Sequence, residues 1–316
     1  GYEDAERIAA RAGLDVGQIR DLGIEQKRIP GPDDQPISMA AAAAKAAFEA
    51  TETVKPGDVD LVIWTGEEYK DYIAQTAAIR LQEEVRCRNA WAFDLVGQSV
   101  TLIQGLRVAN DLMQGDPSVS TVLLAGGSRN IDLVDDTEPA TRFLLAASAS
   151  GGAVILKSGH TCNRLIDIAF TVDAEMADQV YVPGGGTEIP FSPENLNSKL
   201  MYFQVSDPQK TAAYLDARWV PALVAVAKKV LGGRSPDFLA LRHLAPNQRR
   251  AVLDQLGLRS AQSPSMNQMG HHGTNDVIVA LDLGLRKGAL HDGDLVALLT
   301  GGIGFTYAAA SIKWGP

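Results

Sequence analysis

Asn89-Ala90-Trp91-Ala92-Phe93-Asp94-Leu95-Val96-Gly97-Gln98-Ser99-Val100-Thr101-Leu102 is the stretch that decides how this chain folds. An apolar run ends in a glycine-containing turn. Apolar positions then recur at helical spacing through Leu102, Leu106, Ala109 and Leu112. The pattern predicts a strand, a tight turn and a helix, with Ser99 at the helix N-terminus. Backbone N–H groups there lack intrahelical partners and favour negative charge. A serine in such a place either caps the helix or serves as a nucleophile whose attack creates an oxyanion. A neutral hydroxyl attacks poorly, so the second reading demands a base within hydrogen-bond reach.

The same unit recurs along the chain. A helix over about 38–51 precedes Pro56-Gly57-Asp58-Val59-Asp60 and the strand Leu61-Val62-Ile63-Trp64. A helix over about 211–231 precedes Ser235-Pro236-Asp237 and the strand Phe238-Leu239-Ala240-Leu241. A strand at 119–124 runs into Ala125-Gly126-Gly127-Ser128, and a second apolar strand follows at 151–156. A strand at 294–299 likewise runs into Thr300-Gly301-Gly302-Ile303-Gly304, followed by 305–314. Strands alternating with helices in two copies predict an α/β protein of two similar βαβαβ-type halves. Residues 1–165 form the N-terminal half with Ser99, and 209–316 the C-terminal half with the glycine turn. Residues 166–208, with Pro183-Gly184-Gly185-Gly186, Pro190 and Pro193, read as an inserted loop region. That glycine run lacks the strand-to-helix setting of a phosphate loop.

Of the 316 residues, 46% are hydrophobic, enough for a large core. The net charge of −9 argues against nucleic acid or an anionic membrane surface as the main partner. No apolar run reaches the length of a membrane span and no signal peptide is visible, so a cytoplasmic protein is expected. Cys87 and Cys162 stand far apart, fit no metal spacing, and read as reduced, buried thiols. The chain starts at Gly1 on a helical pattern, which leads us to expect an initial strand ahead of this numbering. His160 and His291 carry no local motif and are expected to be exposed.

The base that Ser99 needs is sought in Gly270-His271-His272-Gly273-Thr274-Asn275-Asp276, a glycine-flanked turn before a helical pattern from Val277. Asp276 can accept from one ring nitrogen of His271 and leave the other free for the serine proton. The plainer readings are a helix-capping Asp276 and a surface histidine pair. His272 and His243 are the other base candidates. His243, at the end of the 238–241 strand, either contacts substrate or fills a structural position. No metal is expected, because adjacent histidines rarely ligate one ion and no third ligand is apparent.

Several segments resemble one family, the ketoacyl-ACP synthase III enzymes of the thiolase superfamily. Asn89 to Leu95 is similar to the strand before the family's nucleophile. Asn247-Gln248-Arg249-Arg250 with Leu256-Gly257-Leu258 resembles its histidine-helix segment, and Gly301 to Trp314 its C-terminal glycine strand pair. The likeness spans nearly the whole chain. It implies the five-layer α-β-α-β-α thiolase fold, a homodimer, and acyltransferase activity with a short acyl-CoA and an acyl carrier protein as partners. Acyl-CoA is then a substrate, and no cofactor is implied. It also implies an oxyanion hole from the backbone N–H groups of Ser99 and Ile303, unless the glycine turn is an ordinary hairpin. Arg249 and Arg250, with Lys228 and Lys229, would dock CoA or the carrier protein, or simply form a solvated helix face. Trp64, Tyr69, Phe143 and Leu144 would line the acyl pocket or belong to the core.

The departures from the family are specific. Ser99 replaces the acylated cysteine, Leu244 stands where the family has histidine, with His243 one residue earlier, and His271 stands where it has asparagine. Histidine followed five residues later by aspartate resembles a diverged acyl-transferring branch that includes sugar-ester-forming enzymes of polyketide tailoring. With Ser99, the pattern is most similar to the serine-bearing starter-unit enzymes of daunorubicin-type anthracycline biosynthesis. That likeness implies propionyl-CoA as donor and a role in antibiotic polyketide initiation. The acyl group then passes to malonyl-ACP by decarboxylative condensation, to a carrier thiol, or to a hydroxyl of a polyketide or sugar. A serine esterase fits less well. Gly97-Gln98-Ser99 is half of a nucleophile elbow, Thr101 replaces the second glycine, and the acid follows the histidine. A non-catalytic partner subunit of a synthase is the remaining class.

Overall fold

Strands of unbroken valine, leucine, isoleucine and alanine must be covered on both faces, and that requirement sets the architecture. The computed structural model describes residues 1–316. The chain opens with β1 (Tyr2–Asp4), α1 (Ala5–Ala12), α2 (Val16–Asp21) and β2 (Gln26–Arg28), with β1 and β2 paired antiparallel. The helical pattern thus follows a short strand instead of starting the chain. Then come α3 (Pro36–Ala50), β3 (Leu61–Trp64), α4 (Ala77–Val85), β4 (Trp91–Asp94), α5 (Thr101–Gly115), β5 (Thr121–Ser128) and β6 (Ser150–Lys157). These four last-named strands form one sheet in the order β4-β3-β5-β6, parallel except for β6.

The second half holds β7 (Arg164–Val172), the small pair β8 (Val180–Tyr181) and β9 (Gln204–Val205), α6 (Pro208–Tyr214), α7 (Val220–Leu231), β10 (Phe238–Leu241), α8 (Pro246–Leu256), α9 (Asp276–Arg286), β11 (Leu295–Gly302) and β12 (Thr306–Lys313). Its sheet runs β10-β11-β12-β7. Leu61 pairs with Val122 as Phe238 pairs with Val296, both in parallel, so the repeat read from sequence is physical. The division of the halves needs correction. Residues 164–172, expected mostly within an inserted loop, form an edge strand antiparallel to β12. The irregular stretch begins only after Val172.

Five layers follow. α3 and α4 cover the outer face of the first sheet with an alanine-rich cluster. α7 and α8 cover the outer face of the second. Between the sheets, α5 and α9 share a core with Leu61, Ile63, Val122 and Leu124 from one side and Phe238, Ala240, Val296 and Leu298 from the other. The helix expected over 211–231 is interrupted by a wider π-type turn at Leu215–Trp219. Pro221 has no N–H to continue the α-helical ladder there.

α3 lies close on β6 because its contact face is alanine and β6 offers glycine. A Cβ on Gly151 would collide with the Met39 carbonyl. Gly151→Ala is therefore expected to destabilise the fold by about 1–3 kcal/mol through overpacking. Urea unfolding read against wild type checks this.

Candidate active site

β4 delivers the chain to a short 3-10 turn, Gln98–Val100, that leads into α5. Gln98 sits at φ +57°, the left-handed region that non-glycine residues seldom occupy. Ser99 follows at the foot of the helix, largely buried. Its carbonyl accepts from Thr300 Oγ1 at 3.0 Å, which ties the turn to β11. A Cβ on Gly302 would sit 3.1 Å from the Ser99 nitrogen, so glycine lets the end of β11 approach the nucleophile turn. Ser99 and Ile303, the two expected oxyanion donors, border the same cavity.

The histidine turn is held from three directions. His271 N donates to the Ala146 carbonyl at 2.7 Å, and its own carbonyl accepts from Ser148. Thr274 N donates to Glu67 at 3.0 Å, while Thr274 Oγ1 accepts the Leu102 N–H of α5 at 2.8 Å. Asp276 opens α9 with its carboxylate fully buried. Oδ1 accepts from His272 N at 2.7 Å. Oδ2 accepts from His243 N at 3.0 Å and from His271 Nδ1 at 2.5 Å. Burial alone would raise this carboxyl. The hydrogen bond from His271 and the positive charge of Arg242 hold it well below the usual carboxylate range.

His271 Nε2 lies 3.4 Å from Ser99 Oγ. The separation is longer than a working proton-transfer contact of about 2.6–3.2 Å, as is common in unliganded sites. Arg242 Nη2 is closer to the same nitrogen, at 3.2 Å. A guanidinium can only donate, so Nε2 presents its lone pair and Nδ1 carries the hydrogen directed at Asp276.

Arg242 was missed in the sequence. It stands immediately after β10, next to His243, and strand alternation sends the two neighbours in different directions. His243 is buried, its Nε2–H donates to the Gly23 carbonyl at 3.0 Å, and burial lowers it to about 4. The structural reading of His243 is the one this geometry favours. Arg242 packs over the Trp219 ring at 4.9 Å, donates from Nε to the His243 carbonyl at 3.2 Å and from Nη1 to the Gly301 carbonyl. Burial lowers its pKa, with Asp276, Tyr307 and Glu67 opposing. His272 is buried, and only its backbone N–H reaches Asp276. Its ring nitrogens have no hydrogen-bond partner, and burial lowers it to about 4, with the Asp276 charge opposing.

The cavity beside Ser99 measures about 160 Å³. Its apolar wall includes Phe143, Leu144, Phe203, Leu215, Trp219 and Phe305. Phe143 and Leu144 thus take the expected lining position, and Leu215 and Trp219 come from the π-type turn. Trp64 is instead wholly within the outer core, and Tyr69 is 39% exposed and outside the cavity. Arg249 turns inward onto the carbonyls of Ser260 and Ser263, which leaves Arg250 as the exposed arginine of the expected docking pair. Lys228 is exposed, and Lys229 donates to Thr171 on β7. Cys87 is buried, but Cys162 is half-buried, against expectation. His160 and His291 are exposed. No cluster of three or more His, Cys, Asp or Glu side chains could hold a metal ion, and no helix is long and apolar enough to cross a membrane.

Glu67 is a second residue the sequence did not single out. Burial pushes its carboxyl up to about 7, the Thr274 N–H opposing, and Oε2 has no partner. The unfolded chain releases this proton near the ordinary 4.5, whereas the folded protein keeps it to about 7. Stability is therefore lost as pH rises through that window. Glu67→Gln removes the ionisation, so from pH 5 to pH 8 its stability should gain about 2–3 kcal/mol relative to wild type. Urea melts of both proteins at the two pH values measure the difference.

Comparison with known proteins agrees with this architecture. A family model for 3-oxoacyl-[acyl-carrier-protein] synthase III matches residues 93–174, and one for the C-terminal part of the same family matches residues 232–314. A beta-ketoacyl-[acyl-carrier-protein] synthase III of Roseiflexus sp. (strain RS-1) is 26% identical over 98% of this chain and 93% of its own. The crystal structure of 3-oxoacyl-(acyl carrier protein) synthase III from Pseudomonas aeruginosa PAO1 superposes with a TM-score of 0.84 at 23% identity, covering 100% of this chain and 95% of that one. The priming beta-ketosynthase of the R1128 polyketide biosynthetic pathway gives a TM-score of 0.82 at 20% identity, covering 100% and 93%. With both parts of the family matched, over more than half of its residues together, and with the five-layer thiolase fold around them, the chain belongs to the 3-oxoacyl-[acyl-carrier-protein] synthase III family.

Proposed function

We propose that this protein is an acyl-CoA-dependent acyltransferase in which Ser99 carries the acyl group, and that it supplies starter units to a polyketide pathway. The observation that carries the reading is the unbroken chain from Ser99 Oγ through His271 Nε2 and Nδ1 to the buried Asp276 carboxylate. A structural capping role for Asp276 would not require an imidazole aimed at a serine on another element.

In this reading Ser99 Oγ attacks the thioester carbonyl carbon and its proton passes to His271 Nε2. The backbone N–H groups of Ser99 and Ile303 receive the oxyanion. The carbon–sulfur bond breaks, and His271 returns the proton to the CoA thiolate. Asp276 keeps the Nδ1 hydrogen in place throughout. The apolar cavity of about 160 Å³ suits a short chain such as propionyl. The likeness to serine-bearing starter-unit enzymes of daunorubicin-type biosynthesis rests on Ser99, His271 and Asp276, and the fold shared with a priming ketosynthase is consistent with it. The acyl group then passes to malonyl-ACP by condensation or to a carrier thiol.

Intact-protein mass spectrometry with propionyl-CoA tests the first step. Wild type should gain one propionyl group that maps to the Ser99 peptide, and Ser99→Ala should gain none. His271→Ala should slow acylation about 10²–10⁴-fold with the fold intact. A folded wild type that takes no short acyl group, or takes one elsewhere, contradicts the proposal.

A symmetric dimer belongs to the same reading. β4 is an outer strand with a free edge, and Trp91 on it is 51% exposed and stacked on Phe93. The adjoining segment, tied to Asp94 by Lys70 and by the N–H groups of Ala77 and Ala78, exposes Tyr72, Ile73 and Ile79. An apolar edge of this kind fits a second copy paired about a two-fold axis. Sedimentation should show a dimer, and Trp91→Asp combined with Ile73→Asp should give a folded monomer. A monomeric wild type at micromolar concentration contradicts this.

A further inference from the structure

Arg242 is the only lysine or arginine that lines the cavity, and in acylation its contact with His271 Nε2 only has to yield when that nitrogen takes the serine proton. Its hydrogen bonds go to the His243 and Gly301 carbonyls and to His271 Nε2, not to a carboxylate. Of five N–H groups, one remains on each terminal nitrogen. Trp219 covers one face of the guanidinium and the two carbonyls fix its plane. A cation held rigid, without a counter-ion in contact, beside a nucleophile and its base is equipped to receive an oxygen that becomes negative. The neighbouring positions cannot do this. His243 has its Nε2–H engaged with Gly23, and Leu244 offers no side-chain donor.

We propose that Arg242 is a catalytic residue of a second step, in which it holds the enolate oxygen formed when a malonyl-type thioester loses carbon dioxide. This inference rests on the acyl-serine reading above and decides between its two outcomes in favour of condensation. The bond between the α-carbon and the carboxylate breaks, and its electron pair enters the thioester as an enolate whose oxygen accepts from Arg242. The α-carbon then attacks the acyl carbonyl on Ser99, and the bond from that carbon to Oγ breaks. One proton taken up from the bulk solvent, carried by His271 Nε2 once its contact with Arg242 has opened, goes to Ser99 Oγ, so the negative charge of the malonyl carboxylate is discharged and the serine hydroxyl is restored. The products are carbon dioxide and a 3-ketoacyl thioester.

The test separates the two steps. Acylation of Ser99 by propionyl-CoA is followed by intact mass. The pre-formed acyl-enzyme is then mixed with malonyl-loaded acyl carrier protein, and labelled carbon dioxide and the ketoacyl product are measured. Arg242→Gln should slow product formation about 10²–10³-fold, mainly in kcat, while acylation changes less than about tenfold. Arg242→Lys, which restores a charge without the planar fork, should recover part of the loss. Acylation and condensation falling together in Arg242→Gln would mean that Arg242 only props His271 and would overturn the proposal. So would undiminished condensation in Arg242→Gln, or a wild-type acyl-enzyme that passes its group to a thiol and never releases carbon dioxide. If wild-type Ser99 takes no acyl group, the acyl-serine reading fails and this proposal fails with it.

Discussion

The buried carboxylate of Asp276 is the constraint around which the site is arranged. It enters the protein interior at the first position of α9, where the helix N-terminus favours negative charge. Three N–H donors converge on it, from His271, His272 and His243. An unpaired carboxylate in that place would cost several kcal/mol, so these groups are obliged to stay together. One bond fixes the imidazole, one fixes the turn that carries it, and one fixes the end of β10. The imidazole reaches Ser99, and the end of β10 places Arg242. The geometry of both candidate catalytic groups thus derives from a single anion.

Charge balance explains why the site tolerates Arg242. Asp276 and Glu67 both lie within its field, and each opposes the effect of burial on the guanidinium. Glu67 is also the link from β3 side to histidine turn, through Thr274, and Thr274 joins that turn to α5. The nucleophile helix and the base turn therefore share one polar network beneath the cavity. The cavity wall above it is apolar and aromatic. That combination, a fixed polar base under a dry wall, suits chemistry in which charge develops briefly and water must be kept away.

Much of this was legible in the sequence. Strands Leu61–Trp64 and Phe238–Leu241 appear where the apolar runs stand, because strands buried on both faces need no alternation. Ser99, His271 and Asp276, singled out by their motifs, lie beside one another, with 3.4 Å between Ser99 Oγ and His271 Nε2 and 2.5 Å between His271 Nδ1 and Asp276 Oδ2. What escaped was what depends on neighbours far along the chain. Arg242 looks like an ordinary charged residue beside a more eye-catching histidine, and only the two-residue period of the strand end could have pointed to it. The edge strand 164–172 carries exposed Arg164, Ile166 and Val172 and resembles a loop until β12 lies beside it. Arg249 reads as a surface arginine, yet two carbonyls of a distant turn capture it. Glu67 gives no local hint of burial.

The central claim is that a serine works here because His271 and Asp276 form a base that cysteine would need less. A double-mutant cycle in acylation rate tests it directly, with Ser99→Cys, Asp276→Asn and the combination read by rapid-quench mass spectrometry. The account predicts that Asp276→Asn slows the serine enzyme at least about 30-fold more than the cysteine enzyme, because a thiol already ionises in part at neutral pH. An equal loss in both backgrounds would contradict it, and would reduce Asp276 to a structural anchor for the turn.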